Sequence, residues 1–498
     1  MPPKNISSSV VIGSAWLGVA KVVVNALAFV STLILARLLT PDDFGLVALA
    51  STFVALAETF TSVQVSSALI NFKRVDRSHL NTAWTLGALR GALLAGIIAA
   101  LAYPLSYLYE DARLNSVMLV LALITLIRCL QNPKYVFFEK EISYSREFVI
   151  MVVTKFLSVL AAGVLAYFYQ TYWALIVGTA LAGLSKVFLS YWFVPFIPRP
   201  SLSKLKEIWA FTGWLTLGSA VDAINSNIDT LIIGATLTSA QLGAYRVGDD
   251  LAKKPTKEVL DPLRRPLFPA FSLFSDDKRQ LALSYTRTQY VLFTLVLPFG
   301  AGFSVIAEPM VHLVLGDKWV DAIFIIEVLA INFALQSFIG PAVSLAYATG
   351  HTKAVFTRQM VFFAIRVPVV VGALLTFGLP GLIIARFGTG LVNILLNLYM
   401  VNHIIQLSPW RQISRCWRSV LSAVAMVGVV YAARLYAPLG DTTLQQSIGL
   451  LLYCAIGGLV YPVVHLALWQ LSGCPNGPEQ EVFALLRKAW GKVRPLGY

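Results

Sequence analysis

The sequence predicts an all-α polytopic membrane protein with about fourteen transmembrane helices. They are arranged as two parallel-repeat six-helix lobes followed by two C-terminal helices. Three observations lead there. Apolar runs of eighteen or more residues recur almost from end to end, and about 20 such residues span the hydrocarbon core. The chain is 57% hydrophobic and 13% charged, against about 25% charged in a soluble domain. One segment, finally, repeats along the chain in the same membrane sense.

Breakers and charges set the spans near 14–39, 44–71, 82–107, 113–131, 149–168, 172–194, 208–236, 242–271, 284–315, 319–349, 356–377, 380–406, 417–437 and 444–471. The first run, Ser14 to Leu39, is too long for a signal-peptide core and lacks an A-x-A cleavage pattern, so it reads as a spanning helix. The even-numbered junctions and both termini hold 24 basic residues, from Lys4 to Arg494; the odd-numbered junctions hold two, Arg113 and Lys318. The positive-inside rule makes the rich side cytoplasmic. Both termini are then cytoplasmic and the number of spans even. The net charge of +14 follows from loops facing anionic lipid and calls for no nucleic acid. The short basic tail after Gly473 reads as a helix lying on the inner leaflet.

Several chemistries are argued against. Cys129, Cys416, Cys454 and Cys474 are scattered, without a C-x-x-C, so neither a disulfide frame nor a zinc site is expected. No phosphate-binding G-x-x-x-x-G-K-[ST], H-E-x-x-H or G-x-S-x-G occurs. An ATP-driven pump or a hydrolase is therefore not expected, nor any metal or cofactor. A membrane-bound polymerase or ligase would need a large outer loop, and the expected outer junctions are short.

The repeat centres on a polar knot. In "LARLLTPDDFG", Leu35 to Gly45, four polar-knot residues separate two apolar runs; "IGATLTSAQLG", Ile233 to Gly243, says it again. At an offset of 198, Trp16–Gly45 aligns with Trp214–Gly243 without a gap, and nine of thirty positions are identical. Span 1 then corresponds to span 7, in the same membrane sense. Duplicated lobes around a substrate path are a transporter signature. The expected organisation is a six-helix lobe at 1–200, a second at 201–410, two further helices at 411–472 and a cytoplasmic basic tail at 473–498. Each knot reads as helix punctuation rather than a binding site. Thr40 suits an N-cap, Pro41 the first helical position, and Asp42 and Asp43 the first turn near the positive end of the helix dipole. Thr238 to Gln241 has capping-box form.

Ionisable groups inside spans mark function by default. In the first lobe, Lys21, Arg90, Arg128, Lys155 and Lys186 lie roughly 5–12 Å from the inner surface at 1.5 Å per residue, with Glu58 as the buried acid. Lys21 and Arg90 are expected to face a cavity and attract an anionic headgroup. Arg128 and Lys155 are expected to snorkel back to the interface. In the second lobe, Asp222, Asn225, Ser226 and Asp229 share one face of span 7, while span 8 carries eight charges between Arg246 and Asp261, Arg246 and Lys253 among them. Antiparallel packing of these two spans sets Asp229 level with Arg246 and Asp222 level with Lys253. Arg246 and Lys253 are the expected cavity cations there. Asp222, Asp229 and Glu58 are the expected charge partners or ion-coupling groups.

"LARLLTPDDFGLVALA" (35–50), the long run from Gly213 to Ser272 and "LVLGDKW" (313–319) resemble bacterial Wzx-type polysaccharide flippases, colanic-acid-exporter-like members included. The likeness covers nearly the whole chain. It implies the fold of the multidrug/oligosaccharidyl-lipid/polysaccharide superfamily. It also implies movement of an undecaprenyl-pyrophosphate-linked oligosaccharide to the periplasmic leaflet of an inner membrane by alternating access. Expected partners are that lipid-linked substrate, membrane lipid, a polysaccharide polymerase and a chain-length regulator. The alternative is a cation-coupled multidrug antiporter of the same superfamily, for which Glu58 is the candidate carboxylate in the first lobe.

Overall fold

The computed structural model describes residues 6–61, 75–135, 144–205, 223–264, 266–275, 277–436, 442–474 and 479. Its long helices are α1 (Ile6–Leu38), α2 (Pro41–Phe60), α3 (Arg77–Leu108), α4 (Ala112–Cys129), α5 (Tyr144–Tyr169), α6 (Trp173–Phe193), α7 (223–236), α8 (Ser239–Arg264), α9 (Lys278–Val305), α10 (Asp321–Gln336), α11 (352–377), α12 (379–405), α13 (Trp417–Tyr436) and α14 (Thr443–Leu471). Among the described residues, eleven helices are long and apolar enough to cross a membrane. The three further expected spans have visible reasons for standing outside that count. The start of span 7 lies outside the described residues. Helix α8 is too charged to count as apolar. Helices α11 and α12 run on as one 54-residue segment, broken at Gly378 (φ 63°, ψ −152°), just before Pro380. That backbone conformation is open to glycine and closed to most side chains.

The protein is an all-α polytopic membrane protein. Large apolar side chains point outward as well as inward: Leu93 is 57% exposed, Phe188 63% and Leu451 69%. Lipid, not water, is the solvent that suits such a surface. Hydroxyls inside the spans turn back on their own helices, as Thr32 does to the Ala28 carbonyl and Thr52 to that of Ala48. No polar group is then left facing hydrocarbon at those points.

The chain forms two compact units, residues 1–246 and 247–498. In the first, α5 packs along α1 and α6, α3 along α4, and α4 also touches α2 and α6. Small residues let these helices close up, as where Leu35 and Leu39 meet Ala162, Ala166 and Ala174. In the second unit, α9 packs on α10 and α13, and α13 on α14. Tyr290, Phe293, Leu297, Phe338, Met426 and Tyr461 form one of its cores.

Both knots are capped turns, as their sequences indicate. Thr40 Oγ1 accepts the Asp43 amide at 3.3 Å, and Asp43 Oδ2 accepts the Thr40 amide at 2.9 Å and its hydroxyl at 2.6 Å. Thr238 and Gln241 exchange the equivalent two bonds at 3.3 Å each. Asp43 does more than cap: its Oδ1 accepts the amide of Tyr172, in the turn before α6. Asp42 is clasped from the other side by Arg113, at 2.6 Å, which also holds Asp111 at 2.7 Å. Burial alone would raise the Asp111 carboxyl, but the Arg113 side chain and amide outweigh it and hold it below its usual range. Asp43→Ala removes three bonds from a side chain only 8% exposed. It should lower the melting midpoint in detergent by more than the typical cap loss of ~1 kcal/mol, and Gln241→Ala by less.

The two knots touch. A Cβ on Gly45 would sit 1.8 Å from the Ser239 carbonyl oxygen, and one on Gly243 would sit 1.8 Å from that of Pro41. The contact is reciprocal, as an internal repeat requires when its copies meet about a local two-fold axis. It also explains why the first unit extends to Arg246 rather than ending near residue 200: the first turns of α8 are packed on α2.

Candidate functional site

Within the first unit, a cavity of about 610 Å³ opens among the ends of α2 and α4 and the middles of α3, α5 and α6. Glu58, Arg90, Arg128 and Lys186 are its charged lining residues. Each arrives for a local reason. Arg90 lies against the C-terminal end of α2, its Nη2 donating to the Glu58 carbonyl at 2.7 Å and its Nε to Thr61 Oγ1 at 3.4 Å. A cation there satisfies a helix-end carbonyl and suits the negative end of the dipole. Arg128 sits in the last turn of α4 and pairs with Glu58 Oε1 at 3.4 Å. Its stem lies against Gly183 of α6, where an added Cβ would come within 2.9 Å of the Arg128 Cγ. Lys186 is 5.6 Å above the ring of Tyr135, a cation–π distance.

The uncharged groups sharpen the chemistry. Asn132, also lining the cavity, is fully committed: its Nδ2 donates to the carbonyls of Ser190 and Val194, and its Oδ1 accepts the Lys134 amide. Thr154 Oγ1 is buried without a hydrogen-bond partner among the described residues. The cavity thus offers three cations, one carboxylate already tied to Arg128, and a spare hydroxyl donor. This set receives a ligand that is anionic and accepts hydrogen bonds, as a phosphate does.

The expected site residues divide. Arg90 and Glu58 meet in the cavity. Arg128, expected to snorkel, is half exposed and pairs with Glu58, its stem lying against Gly183. Lys21 is exposed on α1 and is not among the residues lining this cavity. Asp222 lies outside the described residues. Asp229, 2% exposed, accepts the hydroxyl of Tyr245 at 2.9 Å; Arg246, the next residue, is half-buried. In the second unit Lys253 pairs with Asp249, one turn back on its own helix, and Asp249 also takes Arg386 at 2.7 Å. Both cationic heads lie over the Phe333 ring, at 5.4 and 5.7 Å. Sequence reasoning passed over Arg386. The available signal was an arginine inside span 12, where a buried charge calls for a partner.

Residues 34–324 match the family described as "Polysaccharide biosynthesis protein". The chain belongs to that family. It is 23% identical over 425 residues to the lipopolysaccharide biosynthesis protein WzxC of Escherichia coli K12, covering 84% of this chain and 86% of that one. It is 20% identical over 468 residues to the teichuronic acid biosynthesis protein TuaB of Bacillus subtilis 168, covering 92% and 95%. Among solved structures, the lipid II flippase MurJ in an inward closed conformation superposes with a TM-score of 0.70, at 13% identity, over 92% of this chain and 99% of that one. That likeness establishes the shared fold.

Proposed function

We propose that this family member is a flippase, not an enzyme. It carries an undecaprenyl-pyrophosphate-linked oligosaccharide from the cytoplasmic to the periplasmic leaflet by alternating access, for polysaccharide export. The observation that carries this reading is the cationic cavity of the first unit. Arg90, Arg128 and Lys186 receive the pyrophosphate, and Thr154 donates to one of its oxygens. Lys21, Arg246 and Lys253 are assigned as further cations along the substrate path, with Asp222 and Asp229 as their charge partners or ion-coupling groups. The family relatives named for lipopolysaccharide and teichuronic acid biosynthesis support the class of substrate. The segregation of basic residues supports an inner-membrane protein with both termini cytoplasmic. A polymerase and a chain-length regulator would act next on the delivered oligosaccharide.

The test is export of surface polysaccharide by cells carrying Arg90→Gln and Arg128→Gln together. We expect export below about a tenth of the wild-type level with unchanged protein in the membrane; export at the wild-type level would remove the reading. The drug-antiporter alternative needs Glu58 to take up and release a cation. Its carboxylate is engaged by Arg128, which favours a structural role. Glu58→Gln should therefore keep at least half of the export, and its complete loss would argue for coupling through Glu58.

A further inference from the structure

A second cavity, of about 580 Å³, lies within the second unit and is built from α8, α10, α11, α12 and the segment 337–344 between α10 and α11. Volumes of roughly 300–1,000 Å³ are typical of small-ligand pockets. In the two-lobe order expected from the sequence, these helices correspond to α2, α4, α5 and α6, which together with α3 line the first cavity. The lining chemistry, however, has diverged. Lys253, Lys257, Arg264 and Arg358 face one acid, Asp261. Lys253 is already matched by Asp249.

The difference lies in the carboxamides. Asn393 Oδ1 accepts from Arg358 at 3.1 Å and from Asn397 Nδ2 at 3.1 Å; Asn397 Nδ2 also donates to the Asn393 carbonyl at 2.8 Å. Asn397 is 1% exposed, and its Oδ1 has no donor among the described residues. A buried acceptor left unmade is costly, ~1–3 kcal/mol, so this oxygen calls for an O–H or N–H group. Ionised phosphate supplies none. The cations call for an anion. One ligand meets both demands: a ring rich in hydroxyls that also carries a carboxylate.

We propose that the second cavity binds an acidic sugar of the transported oligosaccharide, a uronic acid or its like. Asn397 accepts a sugar hydroxyl, and Lys257 and Arg264 take the carboxylate. This rests on the flippase reading and adds a division of labour: the first cavity holds the pyrophosphate, the second reads the sugar charge.

The experiment uses the full chain in liposomes and two probes. One is an undecaprenyl-pyrophosphate tetrasaccharide containing a single glucuronic acid; the other is the same molecule with that carboxyl reduced to glucose. The wild type should flip the acidic probe at least tenfold faster. Lys257→Gln with Arg264→Gln should bring the ratio close to one. If the wild type flips both probes at equal rates, the sugar-acid site is wrong and the flippase reading stands. If it flips neither, both fall. A ratio unchanged in the double variant also overturns the assignment. The wild-type ratio decides the matter even where the variant fails to fold.

Discussion

Valine at position 45 will prevent the first unit from packing as it does now. The glycine backbone there lies so near the Ser239 carbonyl that the first atom of any side chain would be 1.8 Å from its oxygen, 2.7 Å from its carbon and 3.0 Å from the Gly243 nitrogen. All three are backbone atoms, so no rotamer change relieves the clash. Overpacking a well-packed site costs typically ~1–3 kcal/mol, and a clash against fixed main chain belongs at or beyond the upper end. Gly243→Val should match it, because the contact is reciprocal. Gly96 has nothing within 4 Å of a built Cβ, so Gly96→Ala provides the control. The expected outcome is a markedly lower melting midpoint in detergent and little export for both valine variants, with neither change for Gly96→Ala. Wild-type melting of Gly45→Val would mean that the knots do not meet as described.

The second large effect is expected at Arg418. This residue, Tyr290 and His465 surround the carboxylate of Glu479. Arg418 pairs with Oε1 at 2.9 Å, the Tyr290 hydroxyl donates at 2.8 Å, and His465 Nε2 lies at 3.2 Å. All four are 8% exposed or less. Breaking a buried pair by removing one partner costs ~3–5 kcal/mol because the other charge is stranded. Arg418→Gln should thus destabilise strongly, and Arg418→Gln with Glu479→Gln should recover much of the loss, since no buried charge remains. Additive losses in that cycle would show that the two groups do not interact. The pH dependence follows with its sign. Burial alone would raise the Glu479 carboxyl, but the His465, Tyr290 and Arg418 partners outweigh it and leave it lowered. A lowered folded-state value contributes stability above the unfolded value of about 4.3, lost as pH falls through the folded one. The wild-type midpoint should carry this component down to about pH 4 and lose it below; Glu479→Gln should lack it.

What could be read in the sequence was what is local. The Thr40 cap and the Thr238–Gln241 box depend on residues three apart or fewer, so both were visible, whereas the return bond from Asp43 to Thr40 was read only as a first-turn charge. The all-α membrane class followed from composition and run length. Arg90 was read by depth alone, and it lines the cavity of the first unit. Arg128, one residue from the end of α4, has the depth of a snorkelling side chain, and depth says nothing of its pairing with Glu58. Its stem lies against Gly183, which is near only after folding. Lys253 illustrates the same limit. Level matching across an antiparallel pair pointed to Asp222, which lies outside the described residues, and did not look along the same helix to Asp249, which holds it. Arg386, 137 positions from Asp249, has no local pattern that points to its partner. Which neighbour a buried charge meets is fixed by helix rotation, and in spans that are apolar on nearly every face the pattern leaves that rotation open.

The Glu479 cluster also bears on the order in which the protein is made. Arg418 opens α13, His465 lies near the end of α14, and the carboxylate between them comes later in the chain than either helix. Until translation passes that point, the arginine has left the ribosome without its counter-ion, so α13 and α14 can enter the membrane but cannot complete their polar seam. Assembly of the seam thereby waits until the segment after α14 has been made, and a chain stopped after α14 should be recognised by quality control as unfinished.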